Sequence, residues 1–362
     1  MTHTGARTLD VELAPGSLWR QSGVLVVLVV VLAVSITAGV SLGSVTIPAG
    51  QVWSTFAAAV TGGRIEPTGP PFVQVIVTRS RFPRVLLAVV VGAGLAVVGA
   101  ALQALVRNML ADPFLLGVSS GASVAAVLVI VAGVPAVLGL TTPFAAFLGA
   151  LGALLVVYTM SRSGGQVTPT RLVLSGVAVA YVLSALTSLL LITTPRTDVA
   201  REVLSWLLGG LGRANWDLLW LPAIAVVIGV SLLLTQARSL NLLLVGDEAA
   251  STMGLDVARF RAWMFVLTSL VTGVLVAVSG PIGFVGLIVP HAVRMVVGSD
   301  HRRLLPAAAL TGASFLIWAD IAARTVAAPI EVPVGVLTSL CGGPFFLWLV
   351  RREARRGTRS SG

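Results

Sequence analysis

The sequence predicts an all-α, polytopic membrane helix bundle of about ten transmembrane helices, with both termini on the cytoplasmic side. Three observations predict it. Of 362 residues, 56% are hydrophobic and only 10% charged, whereas a soluble domain carries about 25% charged residues. Uncharged runs recur from end to end, at 21–63, 85–106, 114–161, 172–194, 262–292 and 332–350; about 20 apolar residues suffice for a helix to cross the hydrocarbon layer. The arginines, finally, are unequally shared between the two sides that those runs define.

In order, the expected spans are 22–42, 84–107, 115–133, 143–161, 171–194, 216–236, 260–280, 282–297, 303–325 and 333–350. The first follows Arg7 and Arg20 but runs on too far, without an A-x-A site, for a cleaved signal. It reads as a retained span after a cytoplasmic tail, 1–21. In the second, Ala88, Gly92, Ala96, Ala100 and Ala104 recur every four residues. Lipid tails are as apolar as leucine, so spans associate by close backbone approach, and this small-sided stripe marks a helix buried among others. "GVSSGAS" at 117–123, in the third, has the same meaning with hydroxyls added. The eighth, "GPIGFVGLIVPHAVR", is broken by Gly and Pro, which a membrane tolerates where neighbouring protein or a cavity satisfies the freed backbone. After the tenth comes a basic tail, 351–362.

With the N-terminus inside, sixteen arginines fall on the cytoplasmic side and eight outside, as the positive-inside rule requires. All 24 basic residues are arginine, so there is no P-loop or Schiff-base lysine. Neither a zincin nor a nucleophile-elbow motif occurs. Cys341 has no partner for a disulfide, and His3, His291 and His301 lack zinc-ligand spacing. No catalytic residue, metal site, bound cofactor or nucleic-acid partner is expected of this chain.

Four features admit a structural and a functional reading side by side. Arg79, Arg81 and Arg84 crowd together on the outer side, as lipid-headgroup anchors or as a dock for an acidic partner. Asp320 and Arg324 are four residues apart, so they share a helix face; they are a neutralised pair or a proton site. Segments beginning at Pro48 and Asp198 look amphipathic and suit short helices along the outer surface. The longest inner loop, about 237–259, contains "DEAASTMGLD", with acids at its start and Gly254 where a helix would stop. That loop is a connector or a helix that binds something.

The order of motifs supplies a resemblance. "RFPR", "GAGLAVVGAALQALVRNMLADPFLLGVSSGAS", "LVLSGVA", "GDEAASTMGLD", "GPIGFVGLIVPHAVR", "GSDHRRLLP", "ADIAAR" and "EVPVGVLTSLCGGPFFLWL" follow one another from about Ser22 to Arg352. This series resembles the FecCD family, membrane subunits of binding-protein-dependent ABC importers for ferric siderophores, haem and cobalamin. The resemblance implies a cobalamin-importer-permease-like fold, pairing with a second permease subunit, identical or paralogous, and two ATPase subunits that carry ATP and Mg. It also implies an outer substrate-binding protein and a location in a bacterial cytoplasmic membrane. It assigns Arg81, Arg84 and Arg324 to docking of that binding protein. Gly246, Glu248, Ala249, Ala250, Gly254 and Leu255 become contacts to the ATPase. Thr168, Thr170 and Ser175 become candidates along the pathway, although a hydroxyl in a helix commonly bonds its own backbone. Met109 departs from the family's proline, and Gly342–Gly343 and the Arg-rich tail are also unusual. The family's inverted repeat is not visible in the sequence.

Overall fold

Lipid offers backbone groups no hydrogen-bond partner, so every long uncharged run must close its own bonds as helix. In the computed structural model, which describes residues 16–43, 45–132, 141–163, 166–167 and 169–359, it does so. Helix α1 (Gly16–Ser41) leads to the short α2 (Ala49–Val60). Helices α3 (Pro71–Ile76) and α4 (Phe82–Val106) are joined by one wider π turn, Val77–Arg81, into a single rod. A 3-10 turn at Pro113–Leu116 precedes α5 (Val118–Ala132), followed by α6 (Thr142–Ser161). A two-residue antiparallel ladder, β1 (Arg162–Ser163) with β2 (Gln166–Val167), separates α6 from α7 (Pro169–Ile192). Then come α8 (Thr197–Leu207), α9 (Trp216–Thr235), α10 (Ala237–Val245) and α11 (Asp247–Thr252). The chain ends with α12 (Val257–Ser279), α13 (Val285–Val297), α14 (His301–Thr325) and α15 (Val334–Arg359).

Seven of these helices are long and apolar enough to cross a membrane, and α5, α13 and the apolar part of α15 are shorter. Together they match the ten expected spans, with four shifts in boundary. Helix α1 begins at Gly16, α15 continues to Arg359, and the eighth span is helical only from Val285. The second begins at Pro71, so "RFPR" lies inside a helix and not at its end. The wider turn ends at Arg81, two residues before Pro83, whose ring and missing N–H interrupt a regular ladder. The two amphipathic segments form α2 and α8. Pro48 caps α2 from outside it, and α8 buries Val199, Val203 and Trp206.

The small stripe of α4 is buried throughout. At Gly92 the rod meets Gly312 of α14 so closely that a Cβ on either glycine would overlap the other's carbonyl oxygen. Gly99 makes a similar approach to Gly286 of α13, and Gly121 of α5 to Gly149 of α6. Gly342 of α15 lies against the ring of Phe284, which explains one of the two unusual glycines.

The contacts reveal a repeat. Helix α4 packs on α14 and α13 as α12 packs on α6 and α5. Likewise α5 pairs with α6 as α13 pairs with α14, and α7 and α15 lie at the edges of their sets. Counted from α4, five spans (α4 to α7 and α9) come before α12, an odd number, so the second set of four is inverted relative to the first.

Candidate functional site

At the outer end, Arg81, Arg84 and Arg324 converge. The last carbonyls of a helix lack intrahelical partners, and those of α1 are taken by two of these arginines. Arg81 donates to the Val40 and Ser41 carbonyls at 2.7 and 2.9 Å and also to that of Val45. Arg324 donates to Gly39 and Leu42 at 2.9 and 3.0 Å. Asp320, only 1% exposed, lies between Arg324 Nε and Arg84 Nε, each at 3.0 Å. Arg84 reaches on to Glu331 at 2.8 Å. Two acids thus face three guanidiniums.

The three arginines expected to dock a partner are not equally exposed. Arg81 and Arg324 are each 6% exposed, drawn inward by the buried Asp320 and by the open carbonyls of α1. Arg84 keeps a partial outward edge beside the half-exposed Glu331, and Arg79 on the π turn faces outward. The Asp320–Arg324 pair is the one its spacing predicts, but it is shared with Arg84, 236 residues away in sequence. Both Asp320 oxygens are held by guanidiniums, the arrangement of a structural ion pair.

At the opposite end, α10 and α11 form an angular segment. Gly246 joins them with φ 131° and Gly254 ends α11 with φ 87°, conformations that side-chain-bearing residues rarely adopt. Glu248 and Gly254 are exposed, while Gly246, Ala249 and Leu255 are half-buried. Ala250 is fully buried within this chain. Three large apolar residues outside the expected set are also exposed here: Leu244, Val245 and Met253. Apolar exposure on a segment outside the spans is the signal that points to them. Asp247 accepts both terminal nitrogens of Arg261 at 2.7 and 2.8 Å. Those bonds hold its carboxyl below the usual carboxylate range, against partial burial.

Of the pathway candidates, Thr168 lies outside the described residues, Thr170 is exposed at the start of α7, and Ser175 is half-buried one turn further on. Around them α7 exposes Leu174, Tyr181, Val182, Leu189 and Ile192. Helix α15 exposes Leu340, Leu347 and Trp348, with Cys341 among them.

A model of the FecCD transport family matches residues 28–352. The chain belongs to the FecCD family. Among its relatives, a cobalamin import system permease protein of Halobacterium salinarum is 44% identical over 328 residues, covering 90% of this chain and 87% of the relative. A hemin transport system permease protein of Yersinia pestis is 46% identical over 282 residues, covering 76% and 84%. A solved ABC transporter described as of the metal-chelate type, in an inward-facing conformation, superposes with a TM-score of 0.78 at 30% identity. It covers 91% of this chain and 99% of its own. This FecCD chain is therefore a transmembrane permease, a transport subunit of an ABC importer.

The three arginines meet at one end and the "GDEAASTMGLD" residues lie together at the other. What order did not show was depth. Asp320, Glu331 and the carbonyls of α1 decide which arginines face outward, and each is far from "RFPR" in sequence.

Proposed function

We propose that this permease passes a ferric siderophore, or a related non-porphyrin iron chelate, inward between two permease subunits, driven by ATP hydrolysis on two separate ATPase chains. The observation that carries the substrate class is the likeness to the metal-chelate-type transporter over 99% of that chain. The metal travels inside its chelator, so neither a metal site nor a cofactor of this chain takes part. The membrane is the cytoplasmic one of a bacterium.

A substrate-binding protein docks at the outer end. Arg84 offers an edge that an acid of that protein takes in place of Glu331, with Arg79 beside it; a guanidinium's planar fork suits a carboxylate. Arg81 and Arg324 hold the end of α1 and add positive charge behind that edge. At the inner end the ATPase seats on Gly246, Glu248, Ala249, Gly254 and Leu255, joined by Val245 and Met253. The exposed faces of α7 and α15 meet the second permease subunit, and Thr170 and Ser175 line the way between.

The substrate test is to purify the complex with its binding protein and identify the co-bound ligand by mass spectrometry, then assay uptake of a ferric hydroxamate, haem and cobalamin in proteoliposomes. A ferric siderophore-type chelate, not a porphyrin, is expected. Recovery and uptake of haem or cobalamin alone sinks the assignment.

A further inference from the structure

The α3–α4 rod and α14 cross backbone on backbone at Gly92 and Gly312, and close-packed contacts of this kind transmit displacement instead of absorbing it. The same two helices are tied together at their outer ends through Asp320, which Arg84 of α4 and Arg324 of α14 share. They are also tied at their inner ends, and there to one short segment. Arg261 of α12, buried, donates Nε to the Leu105 carbonyl in the last turn of α4 at 3.0 Å. Its terminal nitrogens both bond Asp247, the first residue of α11. Asn241 of α10 donates to Asp300 at 2.6 Å, while its oxygen accepts from the backbone N–H of His301, the first residue of α14, at 2.9 Å. That oxygen also lies 2.7 Å from His301 Nδ1. The helix from Arg84 to Leu105 spans about 32 Å at ~1.5 Å per residue.

We propose that Arg261 and Asn241 are positioning residues that fasten the α10–α11 segment to the α4–α14 pair. The pair then acts as a lever, carrying movement of that segment to the arginine–carboxylate cluster at the far end. This rests on the reading of α10–α11 as the ATPase seat. The chemistry of both joints suits transmission. A bidentate guanidinium–carboxylate contact fixes angle as well as distance, and here the same guanidinium also holds the end of α4. Asn241 is used as donor and acceptor at once, so its amide has one orientation: its NH₂ toward the acceptor-only Asp300 and its oxygen toward an N–H. Each half of the segment is thus joined to a different helix of the pair.

The test uses the reconstituted complex with Asp247→Ala and Asn241→Ala, singly and together. The ATPase is expected to copurify and to hydrolyse ATP, while transport per ATP falls about tenfold in the double variant, a usual size for a coupling effect. Spin labels at the exposed Ser80 of both permease subunits, in a Cys341→Ser background, should report a distance change on ATP binding that the double variant loses. Asp247→Glu, which keeps the joint, should retain both. Should the double variant not assemble, Asp247→Asn at its half-exposed position reads the same ratio. Wild-type transport per ATP together with an unchanged distance response overturns the lever. The underlying reading has its own test in Met253→Asp on the exposed side of the segment. That variant should release the ATPase, and retention overturns the seat and the lever with it.

Discussion

Helices α4 and α7 are both long and strongly apolar, each with a single arginine near its start and no charge beyond it, yet the bundle closes around one and leaves the other at its edge. Their mean hydropathies, 2.7 for the rod containing α4 and 2.0 for α7, do not foretell that 78% of one stretch is buried and 17% of the other. Side-chain size does. The rod presents Gly and Ala to α13 and α14, so backbones touch; α7 presents Leu, Tyr, Val and Ile outward. Where lipid satisfies an apolar surface as well as protein does, close approach decides which helix is central.

The comparison breaks most severely at the crossing. Gly92→Leu or Gly312→Leu places a side chain where a backbone oxygen already sits, and backbone cannot step aside. The expected loss is more than about 3 kcal/mol, beyond ordinary overpacking, read as a fall in the melting midpoint in detergent. Gly152→Leu on α6, where nothing lies within 4 Å of a Cβ, should cause no loss, and the better helix propensity of leucine adds up to about 1 kcal/mol. Equal losses at both sites would remove the distinction.

Next in size is the ion cluster that closes the outer end of the central pair. Asp320→Ala leaves buried guanidiniums uncompensated and should cost about 3–5 kcal/mol. Glu331→Ala, at a half-exposed position, should cost under about 1 kcal/mol. Chemical denaturation of the two variants distinguishes them, and a mild Asp320→Ala would show that the cluster does not bind α4 to α14.

At the edge of the bundle effects on the single subunit should be small. Tyr181→Ala and Ile192→Ala remove exposed side chains and should shift its stability by under about 1 kcal/mol. Crosslinking between subunits is where they should register. A large loss of subunit stability would mean that α7 is packed after all.

The smallest effect concerns pH. Asp247 is held below its ordinary value by Arg261, so its contribution is complete above the unfolded value of about 4 and is lost only as pH falls through the lower folded value. The α11–α12 joint should therefore stay closed at neutral pH and loosen only in strong acid, as seen by peptic cleavage within 246–256. Asp247→Asn should show no such acid step.

Periodicity made the small stripe of α4 legible, and with it the burial of that helix. It gave no reason to choose Gly312 as partner, because a single glycine in "LTGAS" has no period of its own. Ten spans were legible from apolar runs, including the three short ones. The helical rod beginning at Pro71 was not, because Pro83 reads as a start unless a wider turn accommodates it. Arg81, Arg84 and Arg324 were found by motif order, but their depth depends on an acid and on helix-end carbonyls that only the fold brings near. The two joints of the inner segment were illegible for the same reason. Asp247 and Arg261 are fourteen residues apart and Asn241 and Asp300 fifty-nine, on helices whose relative placement no local pattern fixes.

The meeting of Gly92 with Gly312 also has a consequence for how the protein is made. The two glycines are 220 positions apart, which at ~5–20 residues per second takes a ribosome about 10–40 seconds to translate. For that interval α4 is in the membrane with its narrow side against lipid, insertase or whichever nascent helix lies nearest. The central contact of the finished bundle is among the last to be made, so an error in the final third of the chain undoes the core laid down in the first.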